Sequence, residues 1–348
     1  MHPLIITCLL SALGLGTVIT FSSSHWFLAW MGLEINTLAI LPLMAQKHHP
    51  RAVEATTKYF LIQSTAAAMI MFASLTNAWL TGEWIISQLS HPTPATIAML
   101  ALALKVGLAP THFWLPEVLQ GLNLTTGLIL STWQKLAPFA LITQVAPFVD
   151  SRLLTALGLT SMLIGGWGGL NQTQLRKILA YSSIAHLGWM VIIVQFSPSL
   201  ALLNFFLYIS MTSAAFLTLS AFNCLSLNSL ATSWAKTPTL AALFTPLLLS
   251  LGGLPPLSGF MPKWLVINEM VKQDLQLPAT IAALSALLSL FFYLRVCYAV
   301  ALTSPPNVLV KSTPWRLPSS QKQLLLCFPT VIALGTLPVT PAILAWFS

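Results

Sequence analysis

The chain has 348 residues, and only 15 basic and 7 acidic ones among them, 6% charged against about 25% in an ordinary soluble domain. A water-facing surface cannot be built from that. An apolar share of 56%, with uncharged stretches over 59–82, 178–235 and 323–348, excludes a soluble enzyme, a nucleic-acid binder and a disordered protein. A bilayer core about 30 Å thick takes roughly 20 apolar residues per helix. Apolar runs bounded by Pro, Gly, Ser or charge predict about eleven transmembrane helices, at 3–21, 25–45, 59–80, 95–116, 122–142, 149–170, 178–196, 200–222, 240–270, 276–300 and 325–346. The fold class is therefore an all-α polytopic membrane protein.

Met1-His2-Pro3 runs straight into the first span, without a basic region and a cleavage site, so no segment is expected to be removed. The second span carries Glu34, within Leu33-Glu34-Ile35-Asn36, the only carboxylate expected at mid-membrane. In the fourth span Lys105 stands five residues before Pro110 and seven before His112. Pro110 takes the helical donor from the carbonyl of Val106, so a break is expected there. On a straight helix Lys105 and His112 would share a face about 10 Å apart, a distance suited to a water bridge. The fifth span holds Lys135, one turn after Ser131 and three residues before Pro138. Gly165-Gly166-Trp167-Gly168-Gly169 in the sixth carries the spacing of close helix packing and resembles no phosphate loop. The seventh span holds His186 among the hydroxyls of Tyr181, Ser182 and Ser183, which reads as a relay group or as a packing histidine. The ninth is too rich in Gly and Pro, over 252–259, to be one straight helix, and Lys263 follows its break.

Assigning the loops to alternate sides puts Lys47, Arg51, Lys58, Arg176, Lys177, Lys236, Lys311, Arg316 and Lys322 on the side of the N-terminus, against Arg152 and Lys272 on the other. That bias places the N-terminus on the positive, cytoplasm-like side. Arg295 is expected to snorkel to the same interface. Lys105, Lys135, Lys263 and Glu34 are left without a loop, and each costs about 2.5–3.5 kcal/mol at mid-membrane on the insertion scale. They must face one another, water or polar neighbours, in a static ion pair or in a proton path.

Gly107-Leu108-Ala109-Pro110 and Gly253-Leu254-Pro255-Pro256 align at an offset of 146 residues, which spans five helices. An odd number of helices per copy inverts the second copy, a recurrent transporter design. The expected division is a first five-helix repeat over 1–145, an inverted repeat over 146–303, and a loop with a C-terminal helix over 304–348. The four cysteines, Cys8, Cys224, Cys297 and Cys327, are scattered singly and read as small buried apolar residues. No metal or redox-cofactor motif is present.

The stretches Lys105 to Pro116, Tyr181 to Gly188, and Gly253 to Phe260 with Lys263 resemble the antiporter-like subunits of respiratory complex I. The resemblance covers essentially the whole chain. It implies a proton-translocating module of the membrane arm in the mitochondrial inner membrane, with the N-terminus on the matrix side. Glu34 would sit beside Lys105 in an entry half-channel, Lys135 would be the central carrier, Lys263 would lie near the exit, and His112 and His186 would join the water wire. Its implied partners are the other membrane-arm subunits, especially neighbouring antiporter-like ones, and membrane lipids. NADH, FMN, iron–sulfur clusters and ubiquinone would be handled by other subunits, so this chain is expected to hold no cofactor. Bacterial relatives carry fourteen helices against the eleven counted here, and the difference falls at the N-terminal end. A multisubunit cation/proton antiporter shares the same motifs, and a membrane scaffold with a vestigial channel is the structural alternative.

Overall fold

Three successive helices start behind a histidine, in a computed structural model that describes residues 2–46, 49–235, 238–301 and 323–347. α1 spans Pro3–Ser22, α2 Trp26–Met44 and α3 Pro50–Thr81. The Nδ1 atoms of His2, His25 and His49 accept from the backbone N–H two residues on, at 3.4, 3.1 and 3.3 Å, which satisfies one of the donors a helix start leaves free. α3 begins nine residues earlier than its apolar run, because Arg51, Glu54 and Lys58 occupy turns that extend past the length a bilayer needs.

α4 (Pro92–Val106) and α5 (Trp114–Gly121) are the halves of the broken fourth span. The fifth span, expected as one helix, is also two: α6 (Leu124–Ser131) and α7 (Trp133–Val145). Thr132 separates them at φ −113° and ψ −69°, with the hydroxyls of Ser131 and Thr132 donating back to the Leu128 carbonyl at 3.0 and 2.7 Å. Such side-chain bonds compete with the helical ladder and bend it.

The chain continues through α8 (Ser151–Gly168), α9 (Leu175–Val194), α10 (Pro198–Phe222), the short α11 (Leu227–Ala231), α12 (Pro238–Gly252), α13 (Phe260–Lys272), α14 (Gln276–Ala301), α15 (Gln323–Gly335) and α16 (Thr340–Phe347). Among the described residues six helices, α1, α2, α3, α9, α10 and α14, are long and apolar enough to cross a membrane, and shorter apolar ones accompany them. The protein is an all-α polytopic membrane protein. Lys47, Lys236, Lys311, Arg316 and Lys322, five contributors to the loop bias, lie outside the described residues. Arg295, expected to snorkel, donates from Nη1 to the Leu170 carbonyl at 2.5 Å.

Two compact units result, Met1–Thr160 and Ser161–Ser348. In the first, α7 is the inner helix and packs against α1, α2 and α4, while α3 packs against α2, α4 and α5. In the second, α9 is the most enclosed of the spans, packed against α10, α13 and α14. The glycine run of α8 gives α9 close approach, since a Cβ on Gly165 would lie 2.7 Å from the Ala185 nitrogen. Cys224 and Cys297 are buried as expected; Cys8 and Cys327 are exposed on α1 and α15, where lipid offers an apolar surface as acceptable as a core.

The element starts recur along the chain. α1 to α5 begin at residues 3, 26, 50, 92 and 114, and α8, α9, α10, α12 and α13 at 151, 175, 198, 238 and 260, an offset of 146 to 149 throughout. Even the isolated bridges repeat: His25 pairs with Ile85 just ahead of α2, and Gln174 with Ser226 just ahead of α9.

Candidate functional site

The break after α4 closes in a left-handed turn. Gly107 takes φ +88°, open at no cost only to glycine, and the N–H groups of Gly107 and Leu108 both donate to the Ala103 carbonyl at 2.9 Å. The next two carbonyls then need other donors. The Trp114 indole N–H serves Leu104 at 3.1 Å, and the Gln63 amide from α3 serves Lys105 at 3.2 Å. An amide placed on a backbone carbonyl at the break fixes where the Lys105 side chain leaves it.

Lys105 is buried, and its Nζ lies 3.9 Å from Glu34 Oε1 on α2. That separation is an ion-pair distance and too long for a hydrogen bond. Glu34 is held from its other oxygen by the Thr37 hydroxyl at 3.2 Å. Beside Lys105 is a cavity with ≈ 20 Å³ of room for the centres of water molecules, against the ~10–15 Å³ that one water requires. Its polar lining is Asn36, Thr37, Tyr59, Gln63, Gln134 and the two lysines, Lys105 and Lys135.

Lys135 reaches the cavity from the first turn of α7, directly after the Thr132 break. Pro138 leaves the Gln134 carbonyl without its helical donor, which adds a second irregularity beside the lysine. The Gln134 amide donates to the Asn36 carbonyl at 3.1 Å and ties α7 to α2. Irregular backbone at membrane depth is tolerated where it is buried in protein or lines water, and α7 meets both conditions. In the first unit Lys105 and Lys135 thus share one small polar cavity, with Glu34 facing Lys105.

His112 stands elsewhere. The helix stops at Val106, so the straight-helix spacing from Lys105 does not apply. His112 is buried in the connection to α5, with Nδ1 3.3 Å from the Pro110 carbonyl and its ring 4.3 Å from Phe113, and it is not among the residues lining the cavity.

The break in the second unit is built on the same plan. Gly253 takes φ +80°, and the N–H groups of Gly253 and Leu254 donate to Leu249 at 3.1 and 3.3 Å. The Gly252 carbonyl has Pro256, which lacks an N–H, where its helical donor would be. Lys263 Nζ fills that role at 2.8 Å. His186 lies in α9 with its ring 5.7 Å from that of Tyr208.

Reasoning from charge and helix breakers finds the lysines and misses the uncharged lining of the cavity. Asn36, Gln63 and Gln134 are amides inside apolar spans, and that was the available signal. Among the described residues no group of three His, Cys, Asp or Glu could hold a metal ion.

Residues 23–289 match the family described as NADH:quinone oxidoreductase/Mrp antiporter, membrane region, and residues 290–344 match NADH dehydrogenase subunit 2 C-terminus. The chain is 71% identical over 343 residues to NADH-ubiquinone oxidoreductase chain 2 of Salmo salar, covering 99% of this chain and 98% of that one. It is 70% identical to the same-named protein of Oncorhynchus mykiss, over 99% of both. Among solved structures, a chain of respiratory complex I from Thermus thermophilus superposes with TM-score 0.85 at 27% identity, covering 97% of this chain and 78% of that one. A chain of the Mrp complex of Dietzia shares the fold at TM-score 0.80 and 18% identity, over 96% and 75%.

Proposed function

The chain belongs to the NADH:quinone oxidoreductase/Mrp antiporter membrane family, and on that premise we propose that it is a proton-translocating, antiporter-like core subunit of the membrane arm of respiratory complex I. It works as a subunit of the proton-translocating NADH:ubiquinone reductase, while electron transfer takes place in other subunits. The observation that carries the reading is the cavity of the first unit, where two buried amines meet uncharged polar groups and room for water, with a carboxylate 3.9 Å from one of the amines. A static ion pair of Lys105 with Glu34 would leave the buried Lys135 and the water-sized cavity without a use.

In this arrangement the Glu34 carboxylate receives a proton from the aqueous side and hands it toward Lys105. From the Lys105 ammonium the proton passes through the cavity, past Asn36 and Gln134, to the Lys135 amine. The buried amine holds or releases its proton according to the charge beside it, which lets distant redox steps drive the transfer electrostatically. Lys263 lies near the exit half-channel, and His112 and His186 serve as relay groups. The recurring helix starts and the paired glycine turns support the repeat division at 1–145, 146–303 and 304–348. The relatives' names and the loop-charge bias support the mitochondrial inner membrane, with the N-terminus on the matrix side. Other membrane-arm subunits and lipids are its partners, and NADH, FMN, iron–sulfur clusters and ubiquinone are bound elsewhere in the complex.

Purification from membranes in mild detergent tests this directly. The chain is expected to come with a large NADH-oxidising assembly. Recovery of an isolated chain that exchanges sodium for protons in liposomes would contradict the reading and favour an antiporter. Within the complex, Lys263→Met should reduce coupled turnover and also lower the thermal midpoint, because it leaves the Gly252 carbonyl without a donor, a loss of about 1–3 kcal/mol. Thermal inactivation of the assembled complex checks the second effect.

A further inference from the structure

The connection between α12 and α13 is held at both of its ends. Gly253 opens it in the left-handed turn, and Gly259 closes it so tightly against α12 that a Cβ there would overlap the Ser250 carbonyl. Between them the N–H groups of Leu257 and Phe260 donate to the Leu254 and Leu257 carbonyls, at 3.0 and 3.1 Å. These successive turns deliver the chain to the first turn of α13, where Lys263 stands. Between the two glycines the sequence offers one polar side chain, Ser258. It is 1% exposed, and its hydroxyl donates to the Ala333 carbonyl of α15.

Ala333 lies in the last turn of α15, where a helix runs out of backbone donors for its carbonyls. α15 packs on α10 and α12, and its buried residues Leu326, Thr330 and Ala333 stand at the spacing of one helix face. It also lies beyond the stretch 23–289 that matches the membrane family. Lys263 reaches back from α13 to the Gly252 carbonyl at the end of α12, at 2.8 Å, which closes the connection into a loop. Ser258 is the point at which a third helix holds that loop. A neutral hydroxyl on a carbonyl moves no charge, so what this bond supplies is geometry.

We propose that Ser258 is a positioning residue for Lys263. Its bond to α15 fixes the connection from which α13 starts and so keeps the ammonium on the Gly252 carbonyl, and α15 is the backing of the second break. The inference rests on the functional reading of Lys263 above and adds Ser258 and α15 to it.

Ser258→Ala, Lys263→Met and the double variant, each in the intact complex, test the proposal, with Ser250→Ala as the control. Ser250 is as deeply buried, and its hydroxyl bonds back within α12, to the Leu247 carbonyl at 2.7 Å. NADH oxidation by an artificial acceptor measures assembly. Ubiquinone-coupled turnover in Ser258→Ala should fall about tenfold, short of the ~10² that a misplacement of about 1 Å can cost, because the ammonium keeps the Gly252 carbonyl within reach. Ser250→Ala should stay at the parent rate. In the Lys263→Met background Ser258→Ala should cost no further turnover, since no lysine remains to be positioned. A further fall there, an equal loss in Ser250→Ala, or a Ser258→Ala complex that does not assemble would mark a packing defect and overturn the proposal. Parent-like turnover in Ser258→Ala alongside loss in Lys263→Met would also overturn it and leave the broader function standing. Parent-like turnover in Lys263→Met would instead contradict the role of Lys263 itself.

Discussion

Lys105→Met and Lys135→Met are each expected to cut ubiquinone-coupled turnover on the order of tenfold or more while the complex still assembles and oxidises NADH with an artificial acceptor. The combination separates function from stability. A buried lysine near mid-membrane costs about 2.5–3.5 kcal/mol on the insertion scale, so a methionine of similar length should leave the fold equally stable or firmer. Lys135→Met puts an apolar chain into the same cavity wall. Lys105→Met also removes the cation facing Glu34, whose Oε1 is buried without a hydrogen bond while Oε2 keeps the Thr37 hydroxyl, so part of that gain is offset. Loss of activity without loss of assembly is what a residue retained for function predicts. Full coupled turnover in both variants would remove the lysines from the mechanism.

Gly253→Ala should be damaging both through its backbone conformation and through the lysine it meets, and Gly82→Ala supplies its control. Both glycines have positive φ, +80° and +77°, so each substitution carries the left-handed strain of about 1–2 kcal/mol. Around Gly82 nothing lies within 4 Å of the added carbon. At Gly253 the same carbon would sit 2.9 Å from Cδ and 3.0 Å from Nζ of Lys263, so the end of the lysine must shift from its place on the Gly252 carbonyl. Crowding of this kind adds about 1–3 kcal/mol. Gly82→Ala is therefore expected to lower only the thermal midpoint. Gly253→Ala should lower it further and reduce coupled turnover as Lys263→Met does. Equal thermal midpoints and equal turnover for the two would refute the placement of Lys263 against the turn.

Much of this was readable because charge is scarce. With 22 charged residues, loop assignment leaves Glu34, Lys105, Lys135 and Lys263 unexplained, and three of them meet in one place. The breaks at Gly107 and Gly253 were legible from proline chemistry. The break at Thr132 was not, because no glycine or proline marks it; hydroxyl back-bonding and the packing of α7 against three helices produce it, and that is tertiary information. The start of α3 was placed too late because charge was taken as a boundary, although a helix leaving the bilayer carries charge readily. Asn36, Gln63 and Gln134 escaped notice for a related reason: uncharged polar residues occur throughout such spans, and only the fold shows which ones face a lysine.

The central claim is that protons cross the first unit through the cavity shared by Lys105 and Lys135. Proton translocation per NADH oxidised, measured with Lys135→Met complex reconstituted in sealed liposomes, tests it most directly. The account predicts a ratio or a coupled rate clearly below that of the parent complex prepared alongside. An unchanged ratio at an unchanged rate would contradict it.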